Sequence, residues 1–325
     1  MVLPGKNTHV FYIHSPITWS MAQAVIAHLG LTDTDIRLIG ARGMTGPGLH
    51  LTVADDGGVS IADSCAFLQQ MLAICEPGRG LVLYLPHSVF LAARILGRSG
   101  RVQQIHYLEE GLTSAEPARL AAMPPLLAEA APLLQALRQH GLIDALQLDP
   151  ADIARCALMP AAAFDWRNPK YAGSFACSDD TFGGMPQVTP LTLPRAASAQ
   201  RAQLVSFASV LTGAGCGPDL TAVIEAQCVR VLAMAETMSA RYAAEALLFR
   251  LHPRDSGGLP RWFYDAWRRY GQTYPRWCEL HGLDSLAEPA LHHFAHYHVI
   301  GHSTQSKYVC AWWGAASLSR VAQLY

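Results

Sequence analysis

The chain has 325 residues, 51% of them hydrophobic and 15% charged, which is enough apolar material for sizeable cores and a length that fits two domains. Its 24 basic residues against 25 acidic ones leave a net charge of -1, which excludes the basic field that draws nucleic acid through counterion release. The cysteines (Cys65, Cys75, Cys156, Cys177, Cys216, Cys228, Cys278, Cys310) are scattered without a CxxC pair, which argues against a disulfide frame or zinc site and for buried thiols in a reducing compartment, the cytoplasm. The opening MVLPGKNTHVFYIHSP, with one lysine, an early proline and a short apolar run, does not read as a signal peptide, and no apolar stretch approaches a membrane span.

In chain order, HVFYIHS reads as a buried strand running into a His-Ser-Pro loop, WSMAQAVIAHLG as a helix with a glycine stop, and DIRLIGARG as a second strand. SIADSCAFLQQMLAICEPG is predicted helical with Ser60 or Asp63 near its start, followed by a strand in GLVLYLPHS, a helix in VFLAARILGRSG and a strand in VQQIHYLEEG. Apolar strands alternating with helices predict a parallel sheet covered on both faces. Residues from about 115 to 147 are rich in alanine and leucine but interrupted by Pro124, Pro125 and Pro132, which predicts short broken helices over one face. The following stretch, FDWRNPKYAGSFACSDDTFGGMPQVTPLTLPRAASAQ, is dense in Gly, Pro, Ser and Asp and reads as a segment crossing between domains.

A second alternation follows. AQLVSFASVL is a predicted strand, TGAGCGPD a glycine-rich loop, LTAVIEAQCVRVLAMAETMSARY a long helix and AEALLFRLHPRD a strand entering a loop. LPRWFYDAWRRYGQTYPRWCELHG is aromatic and partly helical, AHYHVIGHS is a strand, and TQSKYVCAWWGAASLSRVAQL is predicted as a terminal helix. The expected architecture is α/β, two Rossmann-like domains facing a central cleft, with residues 1–195 forming the first domain together with the crossing segment and 196–325 the second.

The octapeptide YLEEGLTS puts two carboxylates directly before a glycine at a predicted strand end, where open α/β folds bind ligands; a solvated turn around Gly111 is the plain alternative. Two further strand ends carry His252-Pro253 and, in GHSTQS, Ser303-Thr304. A carboxylate can take a hydroxyl proton, an imidazole can donate to phosphate, and paired hydroxyls at a helix start can bind phosphate oxygens. Together they describe transfer from a nucleotide donor to an alcohol.

With acid-acid-Gly at 109 to 111, His-Pro at 252 to 253 and Ser-Thr at 303 to 304, in that order, the chain resembles the bacterial sialyltransferases of the two-domain GT-B type, including capsule polysialyltransferases and lipooligosaccharide sialyltransferases. The resemblance spans the chain in outline and these short islands in detail. It implies an inverting, metal-independent transfer of sialic acid from CMP-sialic acid to a glycan hydroxyl, with no bound cofactor. Glu109 would be the general base with Glu110 orienting the loop, although spacing alone leaves the order of the pair open. His252 would assist departure of the CMP phosphate, with Pro253 fixing the loop behind it, and Ser303 and Thr304 would bind the same phosphate. Thr304 stands where many relatives have a second serine, which keeps the hydroxyl. A cation near the substrate carboxylate is expected among Arg250, Arg254 and Lys307.

Gly213 and Gly215 in TGAGCGPD let backbone N–H groups approach a phosphate or ribose, or simply form a turn; Glu288 is read as a ribose ligand or a helix cap. His292 and His296 have the i, i+4 spacing of a zinc pair, but no HExxH pattern or clustered acid accompanies them. Trp262, Trp267, Tyr270 and Trp277 interleave with Arg261, Arg268, Arg269 and Arg276, a composition suited either to core packing or to peripheral contact with anionic headgroups on the inner face of a cytoplasmic membrane. Rival readings are a transferase for another CMP-activated acid sugar such as Kdo or legionaminic acid, a non-catalytic glycan-binding module, and a histidine-cluster metal-dependent hydrolase. Acceptor, linkage and oligomeric state leave no mark in the sequence.

Overall fold

The structure, a computed structural model, describes residues 7–41, 44, 48–53, 60–110, 114, 123–125, 127–158, 160–161, 163–178, 181–192, 202–207, 220–241, 247–250, 259–273, 277–280, 294–300 and 318–321. The chain divides into two compact units, Met1–Leu193 and Pro194–Tyr325.

The first unit opens with strand β1 (Thr8–Ile13), helix α1 (Pro16–Leu29), β2 (Ile36–Gly40), the short β3 (Leu51–Thr52), α2 (Ile61–Ile74), β4 (Leu81–Leu85), α3 (Leu91–Arg98) and β5 (Val102–Leu108). β1, β2 and β4 are buried along nearly their whole length, β4 at every position, because helices cover both faces of a parallel sheet, while β5 exposes Gln103 and Gln104 near its start. Local signals set the helix ends. Ser15 caps α1 in a reciprocal capping box with Thr18, Pro16 takes the first turn, and Gly30 closes the helix in the left-handed conformation. In α2 the Ser60 hydroxyl accepts from the Asp63 amide, so Ser60 is the cap.

Residues 115 to 147 depart from the prediction of helices alone. Met123–Pro125 form β6, paired antiparallel with β7 (Pro160–Ala161), and helices α4 (Ala131–Gln139), α5 (Leu142–Ala145) and α6 (Pro150–Leu158) come between. The crossing segment is also corrected: it contains β8 (Tyr171–Ala176) and β9 (Val188–Pro190), which extend the main sheet. Their glycine, serine and proline content hid them, since pairing to a neighbouring strand and not side-chain periodicity holds them. The sheet has seven parallel strands in the order β3-β2-β1-β4-β5-β8-β9. The order reverses between β1 and β4, which makes that gap the topological switch point. Its core runs from Val10 and Tyr12 through Leu68, Leu83 and Ile105 to Phe164 and Phe182.

The second unit contains β10 (Ala202–Phe207), α7 (Leu220–Arg241), β11 (Leu247–Arg250), α8 (Arg261–Thr273), β12 (Trp277–Leu280), β13 (Phe294–Ile300) and β14 (Leu318–Val321). Its five strands are parallel, in the order β12-β11-β10-β13-β14. The predicted terminal helix is corrected at 318–321, where LSRV pairs with β13; a four-residue run carries too little periodicity to tell a strand from a helical turn. Each unit is thus a Rossmann-like, doubly wound α/β layer. Among the described residues no helix is long and apolar enough to cross a membrane.

Candidate active site

The carboxyl ends of β1, β4 and β5 lie side by side in the first sheet, and each delivers an ionisable residue to the switch point. His14 follows β1 directly, His87 follows β4 by two residues, and Glu109 and Glu110 follow β5. His14 is held by its neighbours in sequence: its amide donates to Thr18 Oγ1 at 3.1 Å, in the first turn of α1. His87 is placed by the segment after it, where the Ser88 amide donates to the Ala163 carbonyl at 2.6 Å and Ser88 Oγ meets Tyr107 Oη at 2.7 Å. The rings of His14 and His87 stand 5.1 Å apart, tilted by 56°.

Glu109 and Glu110 have opposite surroundings, as successive residues of extended chain do. Glu109 is fully buried and its amide donates to the Phe175 carbonyl at 3.0 Å. Its carboxylate accepts from the Cys177 amide at 2.6 Å, the Ser178 amide at 3.1 Å, Ser178 Oγ at 2.6 Å and Thr181 Oγ1 at 3.0 Å. Four donors account for the lone pairs of an ionised carboxylate. Glu109 therefore serves as the knot that ties the loop after β8 to the end of β5. Burial, and then the Glu109 carboxylate beside it, push the Cys177 thiol well above its ordinary range, which disfavours the thiolate form.

Glu110 lies on the other side. Its Oε2 is in direct hydrogen-bond contact with Nε2 of His14; the imidazole is fully buried while the Glu110 side chain keeps 12% of its surface open. The backbone at Glu110 is locked by Ser114, whose Oγ accepts from the Glu110 amide at 2.9 Å and donates to the Glu110 carbonyl at 2.7 Å. The Phe182 amide donates to the Ser114 carbonyl at 2.9 Å, joining this turn to the Glu109 loop. A carboxylate with one oxygen held by a buried imidazole, at a sheet's carboxyl edge, is of the type that accepts a proton from a bound hydroxyl.

Gly213, Gly215, His252, Pro253, Glu288, Ser303 and Thr304 lie outside the described residues, as do Gly111, Arg254, Lys307 and His292. The strands that precede these motifs are present: β10 ends at Phe207, β11 at Arg250 and β13 at Ile300, all at the same edge of one parallel sheet. His296 and His298 both lie within β13. His14, His87, Ser178 and Thr181 were not singled out from the sequence. The signal was present for the two histidines: each closes an apolar strand and is followed by serine, as IHS and PHS.

Two cavities in the first unit flank this region without containing it. One of about 520 Å³ is lined by Ala176, Cys177, Ser178, Val188, Pro190 and Leu191, beside the loop held by Glu109. The other, about 370 Å³, lies along α3 and β5 with Arg94, Arg98, Arg167 and Asp165 in its wall; Arg98 faces Asp165 at 3.7 Å and Asp152 at 3.9 Å, so part of its charge is already matched.

No protein-family profile matches the chain, and no curated protein matches it. Among solved structures the chain is similar to the sialyltransferase from Photobacterium damsela, with a TM-score of 0.48 at 10% identity over 91% of this chain and 71% of that one. It is also similar to the UDP-GlcNAc 2-epimerase from Neisseria meningitidis bound to UDP-GlcNAc, with a TM-score of 0.43 at 9% identity over 90% and 77% of the two chains. A third is Os79 from O. sativa in complex with UDP and deoxynivalenol-3-glucoside, with a TM-score of 0.40 at 15% identity over 97% and 86%. At these scores the likenesses carry no functional weight, and the Rossmann-like class stands on the strand orders themselves.

Proposed function

We propose that the chain is a GT-B type glycosyltransferase that moves sialic acid from CMP-sialic acid to a glycan hydroxyl without a metal. The observation that carries this reading is Glu110: a carboxylate at the carboxyl edge of a parallel sheet, beside the switch point, held by a buried histidine. In this reading the order expected within the acid pair is reversed. Glu110 is the general base, His14 its positioning residue, and Glu109 holds the loop that frames them.

The step balances simply. The acceptor oxygen forms a bond to the anomeric carbon as its proton passes to Glu110. The bond from that carbon to the CMP phosphate oxygen breaks, its electron pair leaves with CMP, and attack opposite the leaving group inverts the centre. His252 stabilises the growing phosphate charge, with Pro253 behind it, and Ser303 and Thr304 bind the same phosphate. Gly213, Gly215 and Glu288 are assigned to the nucleotide.

Glu110→Gln keeps size and hydrogen bonding but accepts no proton. Transfer is expected to fall about a hundredfold or more, with CMP binding by calorimetry nearly unchanged. Wild-type turnover in this variant sinks the assignment. A screen of CMP-sialic acid, CMP-Kdo and CMP-legionaminic acid, scored by CMP released on adding acceptor, separates the donors. No release with any of them removes the transferase reading in favour of a binding module.

A further inference from the structure

The proposed transfer uses Glu110 and His14 and leaves His87 without a task. Yet His14, His87 and Glu110 each offer one ligand atom, and the three atoms lie within 4.8 Å of one another. Two imidazoles and a carboxylate are the donor set of borderline divalent cations, zinc foremost, and three protein ligands leave a fourth position for water or a substrate oxygen. The setting is a sheltered one: the His14 side chain is fully buried, His87 is 7% exposed and the Glu110 side chain 12%. The three residues come from three neighbouring strand ends of one sheet, and His14 and Glu110 are fixed at the backbone by Thr18 and Ser114.

We propose that His14, His87 and Glu110 bind a divalent cation of the zinc class, and that the bound ion blocks glycosyl transfer by occupying the carboxylate oxygen that takes the acceptor proton. Only the second half rests on the proposed role of Glu110. Entry of the ion opens the contact between His14 and Glu110, and the proton they share leaves to solvent as metal–nitrogen and metal–oxygen bonds form. No electron changes hands. His87 Nδ1 accepts from the Val89 amide at 3.3 Å, a long bond whose loss costs little if the ring proton moves to Nδ1 when Nε2 coordinates.

The test uses the full chain, free of any affinity tag, with Co²⁺ as a spectroscopic probe and Zn²⁺ in competition. Wild type is expected to take up one Co²⁺ with the visible absorption of a low-coordinate site, and Zn²⁺ is expected to displace it. Loss of an outer-shell partner already costs 10–100-fold in metal affinity, so His87→Gln, which removes a ligand, is expected to weaken binding by at least about tenfold. Thermal unfolding of the metal-free variant checks that it folds, and the wild-type spectrum stands without any variant. Zn²⁺ is expected to suppress CMP release by wild type and to suppress it less in His87→Gln, each measured against its own metal-free rate. Absence of Co²⁺ uptake by wild type, or uptake unchanged in both His87→Gln and His14→Gln, overturns the site. Uptake with no effect of Zn²⁺ on transfer overturns the blocking role. Uptake by a chain that transfers no CMP-sugar leaves the site standing and removes the transferase reading.

Discussion

Glu109 and Glu110 differ by one position and by everything around them. Glu109 is fully buried with four donors on its carboxylate, so Glu109→Ala strands two backbone amides and two hydroxyls in the loop after β8. Unmet buried donors cost about 1–3 kcal/mol each, and the hydroxyls can turn elsewhere, which sets the expected loss near 3 kcal/mol in urea denaturation. Glu109→Gln, whose amide oxygen can face the two N–H groups while its nitrogen faces the hydroxyls, should lose less. Equal stability of the alanine variant and wild type would refute the knot. On the same sheet His106 is stacked on Tyr84 at 5.0 Å, and burial, then the nearby His9, lower its pKa to about 4 against an opposing hydrogen bond to the Gly173 backbone. The folded value lies below the unfolded one near 6.5, so the unfolded chain binds the extra proton between them. Stability is therefore full above about pH 6.5 and declines as pH falls toward 4, by at most about 3 kcal/mol from this group. His106→Phe is expected to flatten the slope of unfolding free energy against pH across that window; an unchanged slope assigns it to other groups.

At the scale of elements, β8 carries its own warning of close packing. Gly173 has φ +136°, and a Cβ there would stand 2.8 Å from the Gln187 carbonyl oxygen, whose neighbours lead into β9. Gly173→Ala is expected to cost about 1–3 kcal/mol, read as a lower unfolding midpoint. A neutral substitution would mean that β8 can shift away from the 187 backbone at no cost. Helix α8 poses a different question. Phe263, Ala266 and Trp267 are buried, while Arg261, Arg268, Arg269 and the 38% exposed Trp262 share the opposite side, the layout of a helix that rests on a surface by one face. If that exposed face meets anionic lipid, vesicle binding follows lipid charge. Sedimentation with phosphatidylglycerol vesicles should exceed that with phosphatidylcholine and fall in Arg268→Glu/Arg269→Glu. Binding that ignores lipid charge, or an unaffected variant, dismisses the contact and leaves a solvated face in which Asp265 pairs with Arg268 at 3.7 Å and Arg261 at 4.0 Å.

For the whole molecule, what the sequence determined by itself is what depends on near neighbours in the chain. β1, α1, β2, α2, β4, α3 and β5 were legible because alternation, helical periodicity and caps such as Ser15-Pro16 act over a few residues. The alternation also implied parallel sheets, since only a crossover returns each strand in the same direction. β8, β9, β12 and β14 were not legible: they are short, broken by glycine or proline or set in mixed segments, and hold their conformation by pairing with another strand instead of by a pattern of their own. The acid pair was visible as a motif, but which acid turns inward was not, because both sit at a strand end and only the arrival of Cys177, Ser178 and Thr181 beyond β8 selects Glu109 for burial. The meeting of His14 with Glu110 was out of reach for the same reason. They are 96 positions apart, and they touch because the strand order turns back on itself between β1 and β4, an outcome of packing two helical layers onto one sheet that no local pattern encodes.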